Sequence, residues 1–211
     1  MSRFLFFLLL ALTGLRAEKM PFDVNALMSL SRIADPQVSP DGRMVAFTVQ
    51  TMDLDKNAKP TQIYVVPLAG GAPKQITRDG ATNTRPRWMP DSKHIAFVSN
   101  RSGNSQLWMM DPDGANPRQI TTLATEAEGV MVSPDGKNLV FTSEVYPDCA
   151  DDACNKKKLD AETASNVKAR IYTSLLYRHW NQWQGARRKH LMVAPAAGGA
   201  IRWTECRGAI R

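Results

Sequence analysis

The chain has 211 residues, 43% of them hydrophobic and 22% charged, the make-up of an ordinary globular protein with a real core, which excludes bulk disorder. Its formal charge of +7 raises nucleic acid as a partner, but the lysines and arginines scatter through turn-forming segments and cluster only at Lys156-Lys157-Lys158 and Arg187-Arg188-Lys189. A phosphate-tracking surface needs a concentrated basic stripe with stacking aromatics or a recognisable module, so no nucleic-acid partner is expected.

At the N-terminus, Arg3 precedes an apolar run from Phe4 to Leu12, and Leu15-Arg16-Ala17 follows before Glu18. This is the tripartite form of a secretory signal, too short to span a bilayer comfortably as a mature helix. Residues 1–17 are therefore read as a signal peptide and the protein as periplasmic or secreted, with no stable membrane span after cleavage. Residues 18–33 are a lead-in segment.

One phrase is then written three times: Ser39-Pro40-Asp41-Gly42-Arg43-Met44-Val45-Ala46-Phe47, Met89-Pro90-Asp91-Ser92-Lys93-His94-Ile95-Ala96-Phe97 and Ser133-Pro134-Asp135-Gly136-Lys137-Asn138-Leu139-Val140-Phe141. The starts lie 50 and 44 residues apart, the spacing of a structural repeat. Proline presets the first corner of a type I turn, aspartate suits the second, and glycine accepts the left-handed conformation that follows. One strand must end at Val38, Trp88 or Val132, and the next runs through Met44–Val49, His94–Val98 or Asn138–Thr142, which mix β-branched and aromatic residues without helical period.

A second phrase travels with the first. Gln62 to Val66 ends in Pro73-Lys74-Gln75-Ile76-Thr77, and Gln106 to Met110 ends in Pro117-Arg118-Gln119-Ile120-Thr121; these read as third and fourth strands. Turn formers at Ser99–Ser105, Gly70-Gly71 and Asp113-Gly114 supply the loops between them. Four-stranded antiparallel meanders at this period indicate an all-β fold, a partial β-propeller of about three blades, at 34–80, 84–123 and 129–204. A β-sandwich also has short strands, but no reason to repeat a phrase at a fixed long period.

After Phe141 the pattern stops until His190-Leu191-Met192-Val193-Ala194-Pro195 restores a third strand, so a helical insertion at about 145–185 is expected in the third blade. Leu159, Ala164, Val167, Ile171 and Leu175 fall mostly three or four residues apart, which predicts an amphipathic helix from about Asn155 to Tyr177. Trp180 and Trp183 are read first as a wedge packing this helix onto the blade. Arg178, His179 and Trp180 are also candidates for a surface that meets a substrate or another domain, because arginine and tryptophan make efficient anchors.

Export allows disulfides to persist, and Cys149 and Cys154 flank a loop short enough to close as a local bridge. A metal pair is the rival. The three histidines are remote in sequence and no second cysteine pair completes a tetrahedral site, so no metal or other cofactor is expected, and Cys206 is left unpaired. No Gly-x-Ser-x-Gly elbow and no phosphate-cradling glycine loop occurs in the sequence. No catalytic residue is assigned, and the residues read as a binding or gating scaffold.

The repeated blade phrase, Asn100-Arg101-Ser102-Gly103-Asn104 followed by Gln106-Leu107-Trp108, and Arg178-His179-Trp180 with Trp183 together resemble the N-terminal propeller of secreted bacterial prolyl oligopeptidase family enzymes, in the dipeptidyl aminopeptidase and acylaminoacyl peptidase group. The resemblance runs from about Ala34 to Arg202. The periplasmic propeller protein of the Tol system uses a similar blade phrase, and the insertion ending in Tyr177-Arg178-His179-Trp180 tips the choice to the peptidases. The resemblance implies a C-terminal α/β-hydrolase domain carrying Ser, Asp and His, peptide substrates, and removal of short peptides or acyl-amino acids from peptide N-termini. None of those three catalytic residues has a matching position here, so the chain alone is expected to be inactive. Residues 205–211 depart from the family's strand end and read as an atypical tail, which suggests a truncated or frameshifted product. The alternative is a non-catalytic periplasmic binding propeller.

N-terminal sequencing of the exported protein is expected to begin at or near Glu18, and a product that keeps Phe4–Leu12 would overturn the signal assignment.

Overall fold

The computed structural model describes residues 21–203 apart from 168, 170, 173, 174, 176 and 184. The signal segment, the tail and Cys206 lie outside the described residues. Two units part between Leu30 and Ser31. In the first, Asp23 accepts the Ala26 N–H at 2.8 Å and so caps a short helix, α1 (Val24–Ser29), which buries none of its side chains.

The second unit is a partial β-propeller of three four-stranded antiparallel sheets, each a meander in chain order. Blade 1 holds β1 (Arg32–Val38), β2 (Met44–Gln50), β3 (Thr61–Pro67) and β4 (Lys74–Gln75). Blade 2 holds β5 (Asn83–Trp88), β6 (Ile95–Ser102), β7 (Asn104–Met110) and β8 (Arg118–Gln119). In blade 3, β9 (Ala127–Val132) and β10 (Asn138–Val145) are followed by an insertion containing α2 (Asp152–Ala164) and a hairpin, β11 (Arg178–His179) with β12 (Gln182–Trp183). The blade then resumes as β13 (Arg188–Pro195) and β14 (Arg202–Trp203). No helix among the described residues is long and apolar enough to cross a membrane.

The repeated turn is a side-chain clasp. In blade 1 the Gly42 N–H donates to the Ser39 carbonyl at 2.8 Å with Gly42 at φ 71, while the Ser39 hydroxyl donates to Asp41 at 2.6 Å and accepts the Met44 N–H at 2.9 Å. Blade 3 repeats this at Ser133, Asp135, Gly136 and Asn138 with the same distances to within 0.1 Å. Hydrogen bonds from Ser39 and Ser133, then from the Arg43 and Lys137 amides, hold the Asp41 and Asp135 carboxyls below their ordinary range. Blade 2 has Met89 in place of the serine and Ser92 in place of the glycine, at φ 57; there His94 takes over, its Nδ1 lying 2.8 Å from Asp91.

Each first strand carries a bulge at one place. Asp35-Pro36, Arg85-Pro86 and Gly129-Val130 each interrupt the register with the second strand, and the leading residue sits at φ 51, 56 and 62. Two residues there stand against one phenylalanine, Phe47, Phe97 or Phe141.

Blades pack face to face through alternating strand residues. Ala46, Ile63, Val65 and Ile76 of blade 1 form one cluster with Trp88, Ile95, Phe97 and Met110 of blade 2. The opposite face of blade 2, with Ala96, Val98, Leu107 and Met109, meets Leu139, Phe141, Met192 and Ala194 of blade 3. Full burial of one such large side chain stabilises by about 1.5–3 kcal/mol. Asp35 and Arg87 also pair between blades at 2.9 Å, and the Trp88 indole donates to the Gln37 carbonyl at 2.9 Å.

A buried polar latch joins the blades where the second sequence phrase recurs. Thr77 accepts the Ile63 N–H at 2.8 Å and donates to Gln62 Oε1 at 2.7 Å, and the same oxygen accepts from Asn83 of β5 at 2.9 Å. In blade 2, Thr121 accepts the Leu107 N–H at 2.9 Å and donates to Gln106 at 2.7 Å. The Gln106 amide then donates to the Leu123 and Thr125 carbonyls, at 2.9 and 3.1 Å, on the approach to blade 3.

The helix expected over Asn155–Tyr177 is shorter. It spans Asp152–Ala164, its one buried residue is Asn155, and Val167, Ile171 and Leu175 lie outside it, 73%, 90% and 90% exposed. The helix stops because Ser165 turns extended and its hydroxyl accepts the Val167 N–H at 3.1 Å, a local bond that competes with another helical turn. An apolar stripe extends a helix only when something covers it.

Thr121→Val keeps the side-chain shape but leaves the buried Leu107 N–H without its acceptor and the Gln106 oxygen with only the Leu123 N–H, at 3.1 Å. A loss of about 1–3 kcal/mol is expected in denaturant unfolding, and an unchanged midpoint would show that the latch is dispensable.

Candidate functional site

The insertion is held to blade 3 by polar fixings at the exit of β10. The Tyr146 N–H donates to Asn155 Oδ1 at 2.9 Å, and the Asn155 amide donates to the Asp151 carbonyl at 2.9 Å. Asp151 caps α2 by accepting the Cys154 N–H at 2.8 Å, and both Asp152 carboxylate oxygens accept the Ala124 N–H, at 3.0 and 3.1 Å. Cys149 and Cys154 are joined by a disulfide, their Cα atoms 5.4 Å apart. Lys158 pairs with Asp148, holding that carboxyl below its ordinary range, and its ammonium lies 5.0 Å from the centre of the Tyr146 ring. Burial first, and the nearby Glu162 carboxylate second, push the Tyr146 phenol up to about 12.

This anchoring makes α2 one wall of a cleft of about 320 Å³, lined by Leu159, Arg187, Asn104, Ala124, Thr125, Glu126, Glu128 and Glu144. Asn104 builds the floor, its amide donating to the Leu123, Ala124 and Thr125 carbonyls at 3.2 to 3.3 Å. Glu126, just before β9, and Glu128 within it flank the buried Ala127, and both are exposed. Glu128 pairs with Lys189 at 2.6 Å and raises the ammonium's pKa. The lining presents three carboxylates and one guanidinium, and one of the carboxylates, Glu128, is already paired with Lys189. Sequence reasoning missed the cleft; the Glu-Ala-Glu alternation at the entry to β9 was its one signal.

The predicted site residues fall on the hairpin. Arg178 stands opposite Trp183 and His179 opposite Gln182. The Arg178 guanidinium lies 5.6 Å from the centre of the Trp183 ring, and that ring stacks on Tyr172 and Tyr177 with centroids 5.9 Å away in each case. Arg178 and Trp183 therefore meet in one cation and aromatic cluster with Tyr177 of the same motif, to which Tyr172 is an addition that the sequence did not signal. Trp180 occupies the turn at φ 54 and is 85% exposed, and Trp183 is 54% exposed. The helix that Trp180 and Trp183 were expected to wedge onto the blade ends at Ala164, and Trp183 stacks on Tyr172 and Tyr177. Elsewhere His94 lies 2.8 Å from Asp91 and 3.7 Å from Asp111 within the blade 2 turn. Among the described residues no group of three or more His, Cys, Asp or Glu is placed to hold a metal.

Successive four-stranded meanders with a repeated turn clasp define a β-propeller. Residues 26–167 match the family described as TolB beta propeller domain, and the chain belongs to that family. Dipeptidyl-peptidase 5 of Porphyromonas endodontalis is 33% identical over 157 residues, covering 74% of this chain and 22% of that protein. Dipeptidyl-peptidase 5 of Porphyromonas gingivalis is 34% identical over 183 residues, covering 82% of this chain and 24% of the relative. The chain thus spans less than a quarter of the length of either relative. Among solved structures, the acylaminoacyl peptidase of Pyrococcus horikoshii superposes with a TM-score of 0.61 at 16% identity, over 83% of this chain and 24% of that one, and shares the fold.

Because the fold keeps Tyr146 neutral, its contribution to stability is fully present below the ordinary tyrosine value of 10.0 and is lost as pH rises toward about 12. Tyr146→Phe is expected to flatten the decline of the unfolding midpoint across that interval, and an unaltered pH profile would contradict the assignment.

Proposed function

We propose that this chain is the propeller module of an exported serine peptidase that trims short peptides or acyl-amino acids from peptide N-termini, and that it gates and positions substrate for a C-terminal α/β-hydrolase domain. The observation that carries the reading is the identity of 33–34% to two dipeptidyl-peptidases across most of the chain. The insertion supports it. A hairpin that exposes Arg178 and Trp180 is suited to contact with a peptide or a neighbouring domain. In this reading residues 1–17 direct export, 18–33 lead in, blades occupy 34–80, 84–123 and 129–204, and 205–211 form the tail. Nucleophile, base and oxyanion hole belong to the hydrolase domain. The match to the TolB propeller family favours a second reading, a non-catalytic periplasmic binding propeller.

The coding DNA downstream of Arg211, read in all frames, separates the two. A Gly-x-Ser-x-Gly elbow followed by Asp and His is expected, and its absence would sink the peptidase reading and leave the binding propeller.

A further inference from the structure

Asp35, Arg85 and Gly129 occupy one register position in β1, β5 and β9, first strands of which β5 lies beside both of the others. All three are left-handed, at φ 51, 56 and 62. Glycine adopts that backbone freely, whereas a residue with a Cβ is strained in it. In blade 1 the strain is offset: both Asp35 carboxylate oxygens accept from Arg87 Nη1 of blade 2, at 3.0 and 2.9 Å, and Asp35 also accepts from the Gln37 amide at 3.0 Å. In blade 3 glycine removes the strain.

Blade 2 does neither. Arg85 is exposed, and its side chain makes no ion pair or hydrogen bond among the described residues. The counterpart of Arg87 in blade 3, opposite Val140 as Arg87 is opposite Ala96, is the uncharged Met131, 69% exposed. The acid of β9, Glu128, is bonded to Lys189 at 2.6 Å. The junction of blades 1 and 2 thus holds a complete carboxylate–guanidinium pair, and the junction of blades 2 and 3 holds the guanidinium alone. Every residue of β5 and β9 is described, so the missing acid is a property of this junction.

We infer that Arg85 is a recognition residue for a carboxylate carried by a peptide, which completes here the pair that Asp35 and Arg87 make at the first junction. The planar guanidinium fork matches both oxygens of a carboxylate. It stands on the edge strand of its blade, where a peptide can approach. An arginine kept in strained backbone, where blade 3 uses glycine, is accounted for by a ligand and not by the fold. The peptide as carrier rests on the peptidase reading, and the carboxylate does not.

Trialanine, with a terminal carboxylate, and acetyl-alanyl-aspartyl-alanine amide, with a side-chain one, are titrated into the 211-residue chain and followed by magnetic resonance. Saturable shifts in β5 are expected with at least one of them, and the peptide that binds names the source of the carboxylate. Trialanine amide, which has none, is expected to bind at least about tenfold more weakly than the peptide that does. Arg85→Gly is expected to weaken binding by a similar factor and to unfold at the same or a higher denaturant concentration, because glycine relieves the strain. Failure of both carboxylate peptides to bind, equal binding of the amide, or unchanged binding by Arg85→Gly would overturn the inference. So would a lowered unfolding midpoint, which would give the arginine a structural role. Carboxylate binding by a chain whose downstream DNA encodes no hydrolase would keep the site and remove only the peptidase reading.

Discussion

A neutral amide set between blades, fully buried in one and half-buried in the other, is the constraint on which the structure depends. Gln62 and Gln106 each tie a third strand to the threonine that ends the fourth, and then to the backbone or side chain that begins the next blade. Apolar contact is non-directional and would tolerate blades sliding over one another. The amide does not tolerate it, because a stranded buried acceptor costs more than a formed hydrogen bond returns. The latch therefore sets where one blade starts relative to the last, and the faces meet in register as a result. In blade 3, β13 brings His190 to the position of these glutamines, opposite Ser143 as Gln106 stands opposite Ser99.

What was legible in the sequence was local. The Ser-Pro-Asp-Gly clasp closes within a few residues, so strand ends at Val38, Trp88 and Val132 follow from turn chemistry alone, and the structure places them there. Blade 2 shows how little of the phrase is essential, since Met89 and Ser92 replace two of its residues while the turn survives through Asp91 and His94. The latch was seen only as a strand. Its partners lie 14 to 21 residues apart, and nothing in the phrase says that a threonine reaches back to a glutamine. The prolines at 36 and 86 were the unread signal of the bulges.

The insertion lies where the sequence put it, and only the length of its helix was misread, for a physical reason. Helical spacing at Leu159, Ala164, Val167, Ile171 and Leu175 describes a stripe, and a stripe forms a helix only against a partner. Instead Asp152 and Asn155 tie the start of the helix to Ala124 and Tyr146, Asp151 caps it, the disulfide closes the joint, and the chain leaves the helix at Ser165. The aromatic residues then satisfy one another, with Trp183 against Tyr172, Tyr177 and Arg178. The cleft walled by Leu159 and Arg187 is a product of that anchoring, assembled from segments too distant in sequence to be read together.

The bulges in the first strands have an evolutionary consequence. At one structural position the three blades place aspartate, arginine and glycine, and the backbone is left-handed in all of them. A main-chain feature that tolerates an acid, a base and no side chain at all leaves that position open to drift. Blade 1 is the exception, because its Asp35 is paired with Arg87 of blade 2; in the other two blades charge at this position can change while the fold stays the same.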